Sequence, residues 1–377
     1  MNSPFQYSKL ATGSNFLNRY SEKQKLKDNF YSGTNTFLVS PRRWGKTTLL
    51  KEVISEVITE HSDIRVCYID LFTIRSEWEF YEQFAKQLIK SSGIGWESWI
   101  KTTTEFLKPL TPRISIGSDP NNDFSIGFEM QNLIGNESEI LNLPERIAQE
   151  QGIKLIICMD EFQNLIKLKG FSTLMQKMQL NWQKQANTTY CITANKNYKI
   201  QETLNSPSNP LFLESEFIKL KKIEEEEWVQ YVVESFKRTG KFISKILATQ
   251  LVKKAKSHFW YVQQFSHITW IITLNNVSET ILDEAFKELI TTNLPIFKRE
   301  CEALTPSQIN LLIAIVSNEK SLTAAAVMVN YGLGTPQNVT KNKALLQSRD
   351  LIEKSDDGYH FLDPVFEQWF IREFLHD

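Results

Sequence analysis

Over residues 1–222, short continuously apolar runs alternate with longer stretches whose apolar positions recur every three or four residues. The runs at 36–39, 65–72, 153–159, 188–194 and 216–220 have strand length, and 65–72 reads as a strand buried on both faces. Helical patterns at 21–31, 46 onward, 77–90 and 171–186 lie between them, with Ser32-Gly33-Thr34-Asn35 as a turn. Strand and helix in alternation predict an α/β domain built on a parallel sheet. Residues 91–143 break the pattern, being rich in Gly, Ser, Pro and Asn. Inside them 113–117 and 123–128 alternate as exposed strands do, and Asp119-Pro120-Asn121-Asn122 is a turn sequence, so an inserted hairpin is expected there.

From Glu224 the strand pattern gives way to successive amphipathic helices. The first opens on Glu224-Glu225-Glu226-Glu227, acids placed where the helix dipole favours them, and closes at Thr239-Gly240. Further helices are expected at 243–257, 260–274 and 280–294, with Phe259, Trp260, Tyr261, Phe265 and Trp270 as core positions. The last segment opens on Thr305-Pro306, a cap followed by Pro at the first helical position. It continues with short helices at 323–331 and 335–347, then two short strands around Asp357-Gly358, which together predict a winged helix with 335–347 as its recognition helix. The expected division is 1–222 with an insertion at 91–143, 223–296, and 297–377.

Three strand ends carry the chemistry. The run at 36–39 leads through Ser40-Pro41-Arg42-Arg43-Trp44-Gly45-Lys46-Thr47-Thr48 into a helical pattern, the order of a phosphate-binding P-loop. Backbone N–H groups and the helix N-terminus there suit an anion, and residues 40–48 are the expected nucleotide contacts. Ser40 stands where the usual motif has Gly, but the closing Gly45-Lys46-Thr47 is intact. Lys46 is expected on the β- and γ-phosphates of ATP and the Thr47 hydroxyl on Mg²⁺. The run at 153–159 delivers Asp160 and Glu161, a Walker B arrangement. Asp160 is expected to hold Mg²⁺ through water and Glu161 to orient the attacking water. The run at 188–194 ends in Asn195, placed to sense the γ-phosphate or that water, with Lys196 beside it as a second candidate. Asp70 ends another strand near the same edge, where capping a turn is the plainer role. Asn18 and Arg19, just before the first helix, are candidates to pack near the nucleotide base.

Overall charge adds little: 43 Lys and Arg against 44 Asp and Glu give −1, so nothing global advertises nucleic acid or an acidic membrane. From Phe297 onward eight basic residues face eleven acidic ones, which disfavours DNA although Gln337, Asn338, Lys341 and Lys343 have the chemistry to read a groove. The four cysteines, Cys67, Cys158, Cys191 and Cys301, form no Cys-x-x-Cys pair and read as free thiols in a reducing compartment. With no signal pattern at the N-terminus and no apolar run of bilayer length, a cytoplasmic protein without membrane contact is expected.

The loop at 40–48, the string Met159-Asp160-Glu161-Phe162-Gln163 and the C-terminal layout resemble the archaeal-type ATPase family of the AAA+-related STAND group, in particular the branch common in Bacteroidetes-type bacteria. Tyr190-Cys191, Asn205-Ser206-Pro207, Thr239-Gly240-Lys241 and His258–Gln264 fall where that branch carries similar strings. The resemblance implies a P-loop NTPase sheet of RecA/AAA+-like strand order, a small helical lid and a C-terminal winged helix. It also implies ATP binding and hydrolysis that switch the placement of these parts, coupled to a protein partner or a homo-oligomer, with an ATP-gated DNA-binding regulator as the alternative. Two features depart from the branch. The sensor strand ends Ala194-Asn195-Lys196 rather than Gly-Ser-Lys, and His258-Phe259-Trp260 lacks the Pro of a His-Pro-Tyr string.

Overall fold

The computed structural model of the chain describes residues 2–5, 19–92, 107–116, 124–195 and 215–375. The Asp119–Asn122 turn, Asn18, Lys196 and the Asn205-Ser206-Pro207 string lie outside these residues. Two compact units result: Arg19–Ser40 with Lys46–Leu220, and Pro41–Gly45 with Lys221–Asp377 and the described N-terminal residues.

The first unit is organised on strands β1 (Thr36–Ser40) and β2 (Ile64–Asp70), the hairpin β3 (Arg113–Ile116) and β4 (Phe124–Gly127), and strands β5 (Lys154–Asp160), β6 (Thr188–Asn195) and β7 (Glu216–Lys219). Five of them form one sheet in the order β2-β5-β6-β1-β7, every pairing parallel. β2, expected to be buried on both faces, is an edge strand and only partly buried, whereas all residues of β1 and β6 are buried, as is β5 beyond Lys154. That explains their unalternating sequence, since each fully buried Ile or Leu contributes about 1.5–3 kcal/mol. Helix Lys46–Glu60 buries Leu49, Leu50, Val53 and Val57, one face at three- and four-residue spacing. Helix Glu77–Ser91 buries Phe80, Tyr81, Phe84, Ala85, Leu88 and Ile89, and the Ser76 side chain caps it by accepting from the Glu79 N–H. Helix Phe171–Trp182 stops four residues short of its expected end. The hairpin expected in the insertion is present, with Arg113 opposite Gly127 and Ile116 opposite Phe124.

The strand order positions the chemistry. β6 lies between β1 and β5, so the P-loop strand and the strand carrying the paired carboxylates are two spacings apart, roughly 10 Å. Their polar ends lie at one edge: Ser40 pairs with Asn195, and Asp70 with Asp160. In a parallel sheet this carboxyl edge is where ligands bind.

The second unit has one continuous apolar core that runs from Trp228 and Phe236 to Trp369 and Phe370. Its helices are Glu225–Arg238, Lys245–Lys254, Phe259–Ile272, Glu279–Glu302, Pro306–Val316, Ala325–Asn330, Pro336–Ser348 and Pro364–Phe374. Strands β8 (Ile352–Ser355) and β9 (Gly358–Phe361) form the antiparallel wing. Thr305 and Gln308 make a reciprocal capping box at Pro306. Tyr261, Phe265 and Trp270 are core residues as their spacing predicts, while Phe259 and Trp260 are only partly buried. One helix departs from its pattern. Pro295 signals a stop near Leu294, yet the helix runs unbroken from Glu279 to Glu302. An interior Pro costs about 3 kcal/mol. Beyond it Phe297 is buried against Phe366 and stacked on Trp369, which offsets that cost.

Candidate nucleotide site

Within the sheet unit the expected catalytic and metal-binding side chains converge. Lys46, the first residue of its helix, is buried and its Nζ donates to Asn195 Oδ1 at 3.1 Å. Next to it Thr47 Oγ1 donates to Asp160 Oδ2 at 2.9 Å. Asn195 Nδ2 in turn lies 3.5 Å from Glu161 Oε2. One amine, one hydroxyl, one amide and two carboxylates thus come from the end of β5 and the residue after it, from β6 and from the helix after β1.

Asp160 is the most heavily supported of the five. Its Oδ2 also accepts from the Tyr68 hydroxyl at 2.7 Å, and its Oδ1 accepts from Thr193 Oγ1 and from the Glu161 N–H at 2.9 Å. Burial by itself would raise the carboxyl's pKa. The Lys46 charge and the hydroxyls of Thr193, Tyr68 and Thr47 outweigh burial and hold it below the ordinary range. Asp160 is therefore an anion throughout the physiological range, as a Mg²⁺ ligand must be. Burial, reinforced by Asp160, pushes the Tyr68 phenol up, so Tyr68 stays a donor.

The backbone bends sharply at the next residue. Glu161 has φ +59°, a left-handed conformation uncommon outside Gly. The Phe162 N–H donates to Thr193 O at 3.0 Å and pins that bend. The two neighbouring carboxylates therefore serve different partners: Asp160 meets Thr47, and Glu161 meets Asn195 and Gln163, whose Nε2 donates to Glu161 Oε2.

Residues 41–45 group by their contacts with the helical unit. Gly45 has φ +84°, and a Cβ there would lie 3.0 Å from the Phe259 ring, so both conformation and space require glycine. Arg43 lies over the Trp260 ring at 5.4 Å and 4.0 Å from Asp363 Oδ2. Trp44 lies under the Lys222 ammonium at 6.0 Å. A cavity of about 200 Å³ in this unit is lined by Arg42, Arg43, His258, Arg299, Arg349 and Asp363 among others. His258 is buried, and its Nδ1 has no hydrogen-bond partner among the described residues. Burial, then Arg43 and Lys222, brings its pKa down to about 3, so the ring is neutral.

Asp70 takes the plainer role expected of it: it is exposed and its Oδ1 accepts from the Phe72 N–H at 2.9 Å, a turn cap. Arg19 is buried and paired with Glu22 at 3.2 Å. Ser40 is buried as the last residue of β1. Tyr68 and Thr193 carry no motif, and Gln163, although it ends the string Met159–Gln163, is given no role by sequence reasoning. They reach the site through strand register and a two-residue offset from Glu161, neither of which announces itself in the chain.

The donor set fits ATP·Mg²⁺. It offers a buried amine for phosphate oxygens, and a hydroxyl and an ionised carboxylate for a hard cation. Residues 16–246 match the family described as an ATPase domain predominantly from Archaea, and residues 295–372 match a probable winged helix domain. The fold is similar to that of a Walker-type ATPase of Pyrococcus abyssi, with 16% identity and a TM-score of 0.69 over 97% of this chain and 99% of that one. It is also similar to the ORC2 protein of Aeropyrum pernix in its ADPNP–ADP complexes, with 12% identity and a TM-score of 0.62 over 99% and 100% of the two chains. The ORC1 protein of the same organism, in complex with DNA, gives 11% identity and a TM-score of 0.51 over 96% and 93%. At such identities the likeness is one of fold. No curated protein matches the sequence. A parallel sheet with the P-loop and acidic strands separated by one strand, a C-terminal winged helix and a family match over more than half the chain agree: the chain belongs to the family of ATPase domains found predominantly in Archaea and carries a winged-helix domain at its C-terminal end.

Proposed function

We propose that the protein is a nucleotide-controlled switch that binds ATP with Mg²⁺, hydrolyses it slowly and passes its nucleotide state to a protein partner or to further copies of itself. The observation that carries this reading is the convergence of Lys46, Thr47, Asp160, Glu161 and Asn195. Lys46 neutralises phosphate charge, and Thr47 and Asp160 are the residues that hold the metal. Mg²⁺, when bound, neutralises charge on the phosphoryl oxygens. Glu161 accepts a hydrogen bond from the attacking water and orients it, while Asn195 spans Lys46 and Glu161 and so joins the phosphate end to the water end. The residues of the loop, 40–48, bind the nucleotide, and 1–222, 223–296 and 297–377 act as core, lid and winged helix.

Lys46→Ala should abolish ATP binding, and Glu161→Gln should keep binding while stopping turnover. Calorimetric titration with ATP·Mg²⁺ and a steady-state phosphate-release assay read these out. Equal ATP affinity in wild type and Lys46→Ala would overturn the proposal.

A second reading is an ATP-gated DNA-binding regulator, favoured by the winged helix at residues 295–372. The acidic excess from Phe297 onward weighs against it. Tight, salt-sensitive DNA binding in a gel-shift titration at physiological salt would favour it. A cytoplasmic location belongs to the main proposal, supported by four free cysteines, three of them buried. Among the described residues no helix is long and apolar enough to cross a membrane.

A further inference from the structure

Gln163 is buried at the start of the short helix Gln163–Ile166, two residues beyond Glu161. Both ends of its amide are engaged. Oε1 accepts from the Asn195 backbone N–H at 3.1 Å, and Nε2 donates to Glu161 Oε2. The orientation of the amide follows from the partners: a backbone N–H can only donate, so it must face the oxygen, and the carboxylate can only accept, so it must face the NH₂. A flipped amide would set donor against donor and acceptor against acceptor.

We infer that Gln163 is a positioning residue for ATP hydrolysis, holding Glu161 in the orientation from which its other carboxylate oxygen meets the attacking water; this rests on the ATPase reading above. Three features support it. Glu161 stands on a left-handed backbone bend, a strained conformation that persists only where surrounding contacts hold it. Gln163 occupies one carboxylate oxygen, Oε2, which leaves Oε1 for water. The same amide ties Glu161 to the end of β6, where the Asn195 side chain meets the Lys46 amine at 3.1 Å. A change at the phosphate end therefore reaches the water end through two side chains and one backbone N–H. Both ends of the Gln163 amide are taken by protein partners, which distinguishes it from Glu161.

The test is a double-mutant cycle on the full chain with ATP·Mg²⁺. Gln163→Met keeps the length of the side chain and removes both hydrogen bonds. Gln163→Glu keeps an acceptor for the Asn195 N–H but places a carboxylate against Glu161. Both variants should lower kcat about tenfold or more, since loss of roughly 1.4 kcal/mol of transition-state stabilisation is tenfold. The ATP Kd should stay within about twofold, because interactions formed only in the transition state do not show in ground-state binding. In a Glu161→Gln background, where steady-state turnover has stopped and the residual hydrolysis is followed as single-turnover phosphate release with enzyme in excess, Gln163→Met should cause no further loss, because a residue acting through Glu161 has nothing left to position. A purely structural role would instead lower ATP binding and kcat together and add to the effect of Glu161→Gln. Wild-type kcat in Gln163→Met, or full additivity in the cycle, overturns this inference and leaves the ATPase reading standing. Lys46-independent ATP binding, or wild-type turnover in Glu161→Gln, overturns that reading and this inference with it.

Discussion

Tyr68→Phe removes a single oxygen, and the structure says what that oxygen does. The Tyr68 hydroxyl donates to Asp160 Oδ2 at 2.7 Å, next to the Thr47 hydroxyl on the same oxygen at 2.9 Å. A hydrogen bond to a charged group is worth about 1.5–3 kcal/mol. The phenol is partly buried, so its removal also spares the cost of desolvating a hydroxyl, and three donors to Asp160 remain. The net destabilisation expected for the metal-free protein at pH 7 is therefore about 1–2 kcal/mol. The pH dependence has a definite sign. Asp160 is held below the ordinary carboxyl range, with the Tyr68 hydroxyl among the groups holding it there. Its contribution to stability is present above the unfolded carboxyl pKa and disappears as pH falls through the lower folded value. Removing the hydroxyl raises the folded value and shrinks that contribution, so the penalty is largest at neutral pH and fades as Asp160 protonates. Urea unfolding of wild type and Tyr68→Phe in EDTA, at pH 7 and at successively lower pH until Asp160 protonates in the folded protein, measures both numbers. A penalty that stays constant down to the lowest pH at which the protein folds, or none at pH 7, would refute a charge-assisted bond at this position.

Two further outcomes follow from the helical unit. His258 is held neutral with its pKa near 3, whereas the unfolded imidazole takes up a proton near 6.5. Stability should therefore be full above about pH 6.5 and fall as pH drops toward 3, by up to about 1.4 kcal/mol per pH unit. His258→Gln should lose about 2–3 kcal/mol less than wild type between pH 7.5 and 4.5 in urea titrations, and equal losses would exclude an unprotonated buried ring. Asp363 caps the helix Pro364–Phe374 by accepting from the Val365 and Phe366 N–H groups, and it also accepts from the Tyr261 hydroxyl at 2.5 Å. Burial pushes its carboxyl pKa up against those bonds, so its charge is not what stabilises the cap. Asp363→Asn, an equally good cap, should unfold within about 1 kcal/mol of wild type at pH 7, while Asp363→Ala should lose about 2–3 kcal/mol. Similar melting temperatures for the Asn and Ala variants would contradict the capping account.

What the chain by itself determined is local. Apolar runs named the sheet strands, most plainly β1, β5 and β6, because a strand buried on both faces has no polar side to show. Gly45-Lys46-Thr47 and Asp160-Glu161 announced the chemistry because that chemistry needs those residue types at adjacent positions. The wing was readable from Asp357-Gly358, a turn whose geometry follows from two residues. Only the tertiary structure decided the strand order and register, and with them that Thr193 and Tyr68, from two different strands, meet on Asp160. Pairing joins residues distant along the chain through backbone bonds that are the same for every side chain, so no local pattern records which strand lies beside which. Packing likewise overrode propensity at Pro295, where burial of Phe297 carried the helix past a residue that by itself says stop. Gln163 shows both sides: its identity stood in plain view beside Glu161, but its role appeared only when β6 brought the Asn195 N–H to the far end of its amide.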